Sequence, residues 1–546
     1  MRSILLCGLF IVTMACSSMR QNECVDHTAV QFSTSDNRLQ QIFDRAEKAA
    51  KENMAVFGGR TVLIEGAQYR NIWLETQPMG GTMYAKRDLA IARNNVEIFM
   101  DFQRADGRFP GLIVKHDDRI SPDYHQFQGF CFPMPALELY YLLGKDKKFL
   151  QKVYAALEKF DAYLWETRDS DHNGCLESWC IYDTGEDHCI RFNEFPNAWP
   201  FDFPPTKQAV QSMSTEELQK HCKVSQYDSL KEMTVPIESM DIMSYSYTCR
   251  DALALLSTEL ENNQDAFWRA QADHVRGKIK SFLWDAQKHA CFDKDKNNVT
   301  MPILLHNNLR CMYYGSFDQE MADAFVKYHL LNPEEFWTPM PLPSIAANDP
   351  SFRNIPGNNW SGQPQGLTFQ RSIRALENYR HYSELTLIGL KLLEVIGDSL
   401  KFTQQFDPFT ATINHSKDGY GPTILACLEF ISRLYGVHIS KDQIFWSCLD
   451  HHPSYDYTQE WNHQIYRMKT TDKMVHAMIN DKVVFSFSKG IRLVSDLKGV
   501  IVEIIGIEAE TKRATVNVGR KVYSFVVEPN SVVRLDETGE GIKCSL

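Results

Sequence analysis

The densest run of groups able to move a proton is Gly185-Glu186-Asp187-His188-Cys189-Ile190-Arg191-Phe192, just downstream of Trp179 and Tyr182. It holds two adjacent acids, an imidazole and a guanidinium. A carboxyl group packed among aromatic rings loses the hydration of its charged form, so its pKa rises and it can donate a proton at neutral pH. Paired with a second carboxylate, such an acid cleaves acetals: one group protonates the leaving oxygen, and the other activates water or attacks directly. Aspartate and glutamate number 69 in this chain, so only their setting selects among them. The competing reading of Glu186 and Asp187 is a solvated loop with ordinary salt bridges.

Other runs offer partners. Leu63 to Gly81 packs Glu65, Arg70, Trp73, Glu75 and Gln77 together with several glycines. That mixture suits a cleft wall, with Arg70 and Glu75 holding hydroxyls or a sugar carboxylate. It equally suits a buried ion pair. Tyr124 and His125 follow Ser121-Pro122-Asp123, and Trp337 and Asp407 lie in later loops rich in aromatics. Glu238 and Asp241 are three apart and share a helical face at its start, where one could cap the helix. Asp169-Ser170-Asp171-His172-Asn173-Gly174 opens like a calcium loop. Its twelfth position is Cys180 where a bidentate glutamate belongs, so a tight turn is the favoured reading. No metal or cofactor is implied.

The elements that must position these residues are mostly helical. Apolar residues recur at three and four in Leu39–Phe57, Ala85–Phe102, Pro133–Leu143, Phe149–Glu166, Ile242–Leu260, Asp265–Trp284, Gln319–Leu330, Gly366–Gly397 and Pro422–Tyr435. Helices with long loops and no repeat period point to helical hairpins closed into a ring. After about Ile439 the pattern turns to short alternating strands, such as Lys482–Ser488 and Lys521–Val527, and predicts a small antiparallel β-sandwich in a supporting role. The polar stretch from Lys207 to Val224 reads as a surface excursion.

Bulk properties narrow the partners. The chain has 546 residues, 44% of them hydrophobic, which supplies one large core and a smaller one. A net charge of -11 without a basic run argues against nucleic acid. Aromatics at 12% suit either a sugar cleft or core filling. Arg2, the apolar run Ile4–Met14 and Ala15-Cys16 read as a secretory leader ending at a lipidated Cys16, the chain's one expected membrane attachment. The fourteen cysteines form no CxxC pair, and most read as buried free thiols.

Three segments carry a family resemblance. Gly185 to Phe192 resembles the acid-bearing segment of the helical-toroid glycoside hydrolases that include mannosylglycerate hydrolase, processing α-glucosidase and trehalase. The resemblance puts Asp187 on the catalytic acid and Arg191 on the neighbouring arginine. Asn359-Trp360-Ser361-Gly362-Gln363-Pro364 resembles the family's sugar-subsite stretch and implies Trp360 and Gln363 as lining residues. The third segment departs from the pattern: Gln404 stands where the family carries its glutamate base, although Tyr420-Gly421-Pro422-Thr423 continues it. A glutamine amide can orient water but cannot take its proton.

The expectation is an (α/α)6 barrel over residues 36–440, preceded by a leader to Cys16 and a tether over 17–35, and followed by a β-sandwich over 441–546. Its function is hydrolysis of an oligosaccharide, with inversion implied by the resemblance. Asp187 is the acid, and Glu75, Asp407 or Glu238 replaces the missing base. Arg70, Trp73, Gln77, Tyr124, His125, Glu186, Arg191, Trp337, Trp360, Gln363 and Gln404 are candidate sugar contacts. The expected location is the periplasm or surface of a Gram-negative bacterium. Two alternatives stand beside it: a sugar-binding lipoprotein without activity, and a polysaccharide lyase using Tyr69, Tyr124 or His125.

Overall fold

The computed structural model describes residues 27–125, 127–192, 236–413, 417–450 and 454–535, with a few isolated positions and short strands outside these ranges. The leader, Cys16 and most of the Lys207 to Val224 stretch lie outside the described residues.

Six helices neighbour one another in a closed circuit. Gln77–Tyr84 touches Pro133–Leu142, which touches Met240–Leu260, then Asn307–Tyr314, Gly366–Asn378 and Gly421–Tyr435, which returns to Gln77–Tyr84. Most of these helices carry an outer partner. Leu89–Asp101, Lys147–Thr167, Asp265–Lys278, Tyr382–Ser399 and Asn37–Glu52 pack on successive members from outside. The burial patterns follow from this arrangement. Gly421–Tyr435 is buried at every position, as a helix walled in on all sides must be. Asn37–Glu52 buries one stripe only, Leu39, Ile42, Phe43, Ala46, Ala49 and Ala50, and Asp36 caps its start.

The circuit runs in one sense. Each of its helices starts at the same end as the chemistry-bearing loops: Gln77 follows Glu75, Met240 follows Glu238, Asn307 follows His306, and Gly366 and Gly421 follow Gln365 and Tyr420. Backbone bonds tie the ends together there, with Gly421 donating to the Glu65 carbonyl (2.6 Å) and Gly366 to the Gln404 carbonyl (2.7 Å).

Two antiparallel sheets follow. One has seven strands and the other six. Tyr455–Trp461 alternates buried and half-buried positions, as a strand with one face on a core must. Trp446 of the six-stranded sheet meets Tyr466 and Phe485 of the other, so the two sheets share an aromatic core.

The structure departs from the sequence reading in several places. The expected tether contains a strand, Thr28–Thr34, which pairs along its whole length with Tyr455–Trp461. An extended chain beside an open sheet edge satisfies its backbone by joining it. The first C-terminal strand begins at Val437, earlier than the expected boundary at 441. The window Gly366–Gly397 is two helices, broken after Asn378, with Arg380 in the left-handed region. Hairpins Met54–Phe57 with Arg60–Leu63, and Leu112–His116 with Arg119–Asp123, lie within the stretch read as helical. Cys131, Cys175, Cys180, Cys189, Cys249, Cys291, Cys311, Cys427 and Cys448 are buried free thiols. Among the described residues no helix is long and apolar enough to cross a membrane.

Trp446 is fully buried, and its indole nitrogen donates to Ser495 (2.9 Å). Trp446→Ala is expected to destabilise the C-terminal sheets by about 3–5 kcal/mol, read as a shift in the urea midpoint.

Candidate functional site

Asp187 leaves the loop after the short 3-10 turn Ile181–Asp183, and the next residue, His188, adopts a left-handed backbone. Its Oδ2 accepts from the Asn358 side-chain amide (2.7 Å), while its buried Oδ1 has no hydrogen-bond partner among the described residues. Burial and the nearby Glu75 charge push its pKa up to about 7, against the lowering effect of the Asn358 bond. The site therefore holds a carboxyl group that keeps a proton in a substantial fraction of molecules near neutral pH and has one oxygen uncommitted.

A chain of hydrogen bonds leads away from it. Asn358 accepts on Oδ1 from Gln404 Nε2 (2.6 Å) and from the Trp360 indole (3.3 Å), and Gln404 Oε1 accepts from the Tyr69 hydroxyl (2.8 Å). Gln404 thus accepts at one end and donates at the other, which a carboxylate cannot do. Asn358 is itself left-handed, and so are Ala67 and Gln128. Such backbone costs energy and persists only where surrounding contacts over-determine it.

Two more carboxylates belong to this group. Glu75 accepts from Arg371 (2.7 Å), with Arg310 at 3.5 Å. Gly129 and Gly185 give its carboxylate room: both have positive φ, and a Cβ on Gly185 would collide with Glu75 Oε2. Burial raises the Glu75 pKa and the two arginines oppose the rise. Glu65 is 8% exposed. Burial, and then the charge of Glu75, raise its pKa well above the usual carboxylate range, and Asp187 adds to this against the hydrogen bond from Tyr420. In the sequence Glu65 stands out only as one acid of the run Leu63 to Gly81. The signal for it was weak, one acid two residues past an apolar strand, and Tyr420, which fixes its role, is 355 positions away.

Beneath the site lies a dry ionic network. Arg191 is closed off from solvent and pairs with Glu186, Asp241 and Asp293. Glu186 also meets His306 Nε2 (3.0 Å) and accepts from Thr184 (3.1 Å). Burial would raise the Glu186 pKa, but Arg191, Arg310 and His306 hold it well below the carboxylate range. Burial also takes His306 down to about 4, so its ring stays neutral. Glu186 and Arg191 therefore support the loop that carries Asp187 from below. This corrects the expectation that they touch substrate, since their charged atoms are taken up by one another and by Asp241, Asp293, His306 and Thr184.

Several other candidates sit elsewhere. Gln77 opens its helix and accepts from the Trp73 backbone (2.6 Å) and the Thr76 hydroxyl (2.5 Å), an anchoring role. Asp407 accepts from the Phe409 and Thr410 backbone (both 2.9 Å) and from Asn354 (2.8 Å). It is a turn cap whose pKa, despite partial burial, is lowered by these bonds. The Tyr124 hydroxyl donates to the Phe102 carbonyl (2.5 Å). His125 is exposed and bound to Asp123 (2.8 Å). Burial raises the Tyr69 pKa, keeping a phenol that already donates to Gln404. None of the three is set up as a lyase base. Trp337 packs on the core by the turn at Asn332. Trp73 stands edge-on to Tyr69 at 5.8 Å, Arg70 is exposed beside it, Trp360 is buried behind Asn358, and Gln363 donates to Asn354 (2.6 Å). Glu238, weighed as a base, instead accepts from Asn173 (2.8 Å). It joins Asp171 and Glu177 in a group of three carboxylates whose oxygens lie within 4.8 Å of one another and could hold a cation.

Residues 82–421 match the family model of the mannosylglycerate hydrolase MGH1-like glycoside hydrolase domain. The chain belongs to this family. No curated protein matches its sequence. Among solved structures, the GH63 mannosylglycerate hydrolase from Thermus thermophilus in complex with glucose is 14% identical with a TM-score of 0.56, over 72% of this chain and all (100%) of that one. A sialidase gives a TM-score of 0.64 at 13% identity, over 88% of this chain and 44% of its own. A GH78 family rhamnosidase of Bacillus sp. GL1 gives 0.53 at 10% identity, over 85% of this chain and 40% of its own. At such identities the likeness is one of fold. It makes this member a glycosidase-like helical domain with a C-terminal sheet region.

The raised Asp187 pKa has a sign that can be measured. The unfolded carboxyl titrates near its ordinary 3.8, so the folded state of this glycoside hydrolase domain loses stability relative to the unfolded as pH rises from there through about 7. Asp187→Asn removes the titration. The variant is expected to gain stability relative to the parent protein between pH 4 and pH 7, checked by urea unfolding at both ends of about that range.

Proposed function

We propose that this protein hydrolyses a glycosidic bond with Asp187 as general acid. The observation that carries this reading is a single one: Asp187 has a pKa near 7 and an uncommitted oxygen. A proton donor needs both. The closed circuit of six helices, most with an outer partner, supports reading the domain as an (α/α)6 barrel with its catalytic mouth at the helix N-termini.

Glu65 fills the base role left open by Gln404. Glu75 is committed to two arginines. Glu65 has no ion pair among the described residues and serves as base in its ionised form, which the Tyr420 hydrogen bond and the Arg371 charge favour against burial. In the reaction, Asp187 gives its proton to the leaving oxygen as the glycosidic bond breaks. Glu65 takes a proton from the water that forms the new bond to the anomeric carbon, which inverts the configuration. Tyr69, Gln404 and Asn358 orient Asp187. Trp73 and Arg70, at the mouth beside Tyr69, are the proposed sugar contacts. The family's mannosylglycerate hydrolase makes α-linked mannosides and glucosides the first substrates to assay. The reading of Cys16 as a lipid anchor places the enzyme at the periplasm or cell surface.

Sugar release from a panel of α-linked oligosaccharides is expected to fall at least about 100-fold in Asp187→Asn, with the alkaline limb of the parent pH profile near 7. Glu65→Ala should lose activity and regain it with azide, giving a glycosyl azide of inverted configuration, while Glu75→Ala is not rescued. Unchanged release in Asp187→Asn would remove it as the acid, and binding of sugar without release would favour the non-catalytic reading. Gln404→Glu, which places an acid at the family's base position, is expected to lower activity roughly 10-fold or more because the donation to Asn358 is lost. A rise in its turnover would show that position 404 is the true base site.

A further inference from the structure

A cavity of about 340 Å³ lies at the far end of the helical circuit from Asp187, between the helices and the sheets. Gly366–Asn378 and Gly421–Tyr435 start at the catalytic mouth. Their last turns bring Arg374, Glu377 and Arg433 to this cavity, and the strands beyond add His438, Lys441 and Arg492. Its charges do not balance. Glu377 is shared by Arg433 (3.1 Å) and Arg492 (2.9 Å), and Glu429 by Lys86 (2.6 Å) and Arg433 (2.7 Å). Arg374 stands 3.6 Å from Glu138, and Lys441 is exposed at the mouth. Four cations, Arg374, Arg433, Lys441 and Arg492, thus line the cavity against three carboxylates, Glu138, Glu377 and Glu429.

Two further polar groups line the same space. His438 is 6% exposed and Tyr313 3% exposed. His438 Nδ1 has no hydrogen-bond partner among the described residues. Burial, followed by Arg433, Lys86, Arg492 and Arg374, drives the His438 pKa well down, and burial lowers Lys86 to about 8 despite Glu429. Burial is the first cause in both, and at His438 the neighbouring cations add to it.

We propose that this cavity binds a small doubly charged tetrahedral oxyanion, phosphate or sulfate, held by Arg374, Arg433 and Arg492 with Lys441 at the entrance. Planar guanidinium groups match oxyanion geometry with paired donors, and a dry wall strengthens each contact. Arg374 and Arg433 come from the helices, and Lys441 and Arg492 from the strands, so a bound anion clamps the two regions together. Binding only the folded state raises stability by mass action.

The test uses the full chain, titrated with inorganic phosphate and with sulfate against chloride at equal ionic strength, by calorimetry and thermal unfolding. The expected result is saturable binding of at least one dianion at one site, with a rise in melting temperature that chloride does not give. Arg374→Gln and Lys441→Gln, at partly and fully exposed positions, should each fold and weaken binding, Arg374→Gln by roughly tenfold. No saturable binding of either dianion, or affinity unchanged in both variants, would overturn the proposal.

Discussion

Arg191 is the contact on which the site depends. Its guanidinium is cut off from water and joins Glu186 of the loop that bears Asp187, Asp241 of the helix Met240–Leu260, and Asp293 beside the hairpin strand Ala290–Cys291. A charge in so dry a place is tolerable only with partners on every side, and removing one partner strands the others. The network therefore leaves the loop after Ile181–Asp183 little freedom, and His188 accepts a left-handed backbone within it. Asp187, next to Glu186, is aimed at the mouth as a result. Arg310 extends the same network to Asp241 and toward Glu75, so the second carboxylate is set by the arrangement that sets the first.

The helical circuit gives the molecule two electrically different ends. At the N-terminal end of its helices the free amides favour negative charge, and Glu65, Glu75 and Asp187 gather there. Crowding and burial raise all three pKa values, which turns carboxylates into proton carriers. At the other end the helix carbonyls favour cations, and Arg374, Arg433 and Arg492 gather against the sheets. One helix can serve both: Gly366–Asn378 begins by donating to the Gln404 carbonyl and ends with Glu377 between two arginines.

Much of the element pattern was legible. Lys482–Ser488 and Lys521–Val527 have the limits that their alternation predicts, and Pro133–Leu142 and Gly421–Tyr435 differ by one residue from their apolar windows. The misses share a cause. Gln77–Tyr84 and Asn307–Tyr314 are short and buried on nearly all sides, so neither shows an amphipathic stripe to read. Asp265–Lys278 and Gln319–Phe325 each run on into a π-helical turn, which a period of 3.6 does not distinguish. Thr28–Thr34 became a strand because an edge more than 400 residues away was open to it.

The sequence alone pointed to Asp187 and to the family pattern around it, because Asp187 and its neighbours are contiguous and their chemistry is local. It also showed that Gln404 cannot take a proton. Only the tertiary structure decided what each group near Asp187 does. Glu186 and Arg191 look like active-site residues in the sequence and prove to be buried supports. Asp407 caps a turn. Glu65, inconspicuous in its run, has its pKa raised by burial and by the charges of Glu75 and Asp187. The reason is physical: a carboxyl group's proton affinity is set by how much water it has lost and by which charges surround it. Both are fixed by segments far apart along the chain, such as Glu65 and Tyr420, that meet only when the helices close.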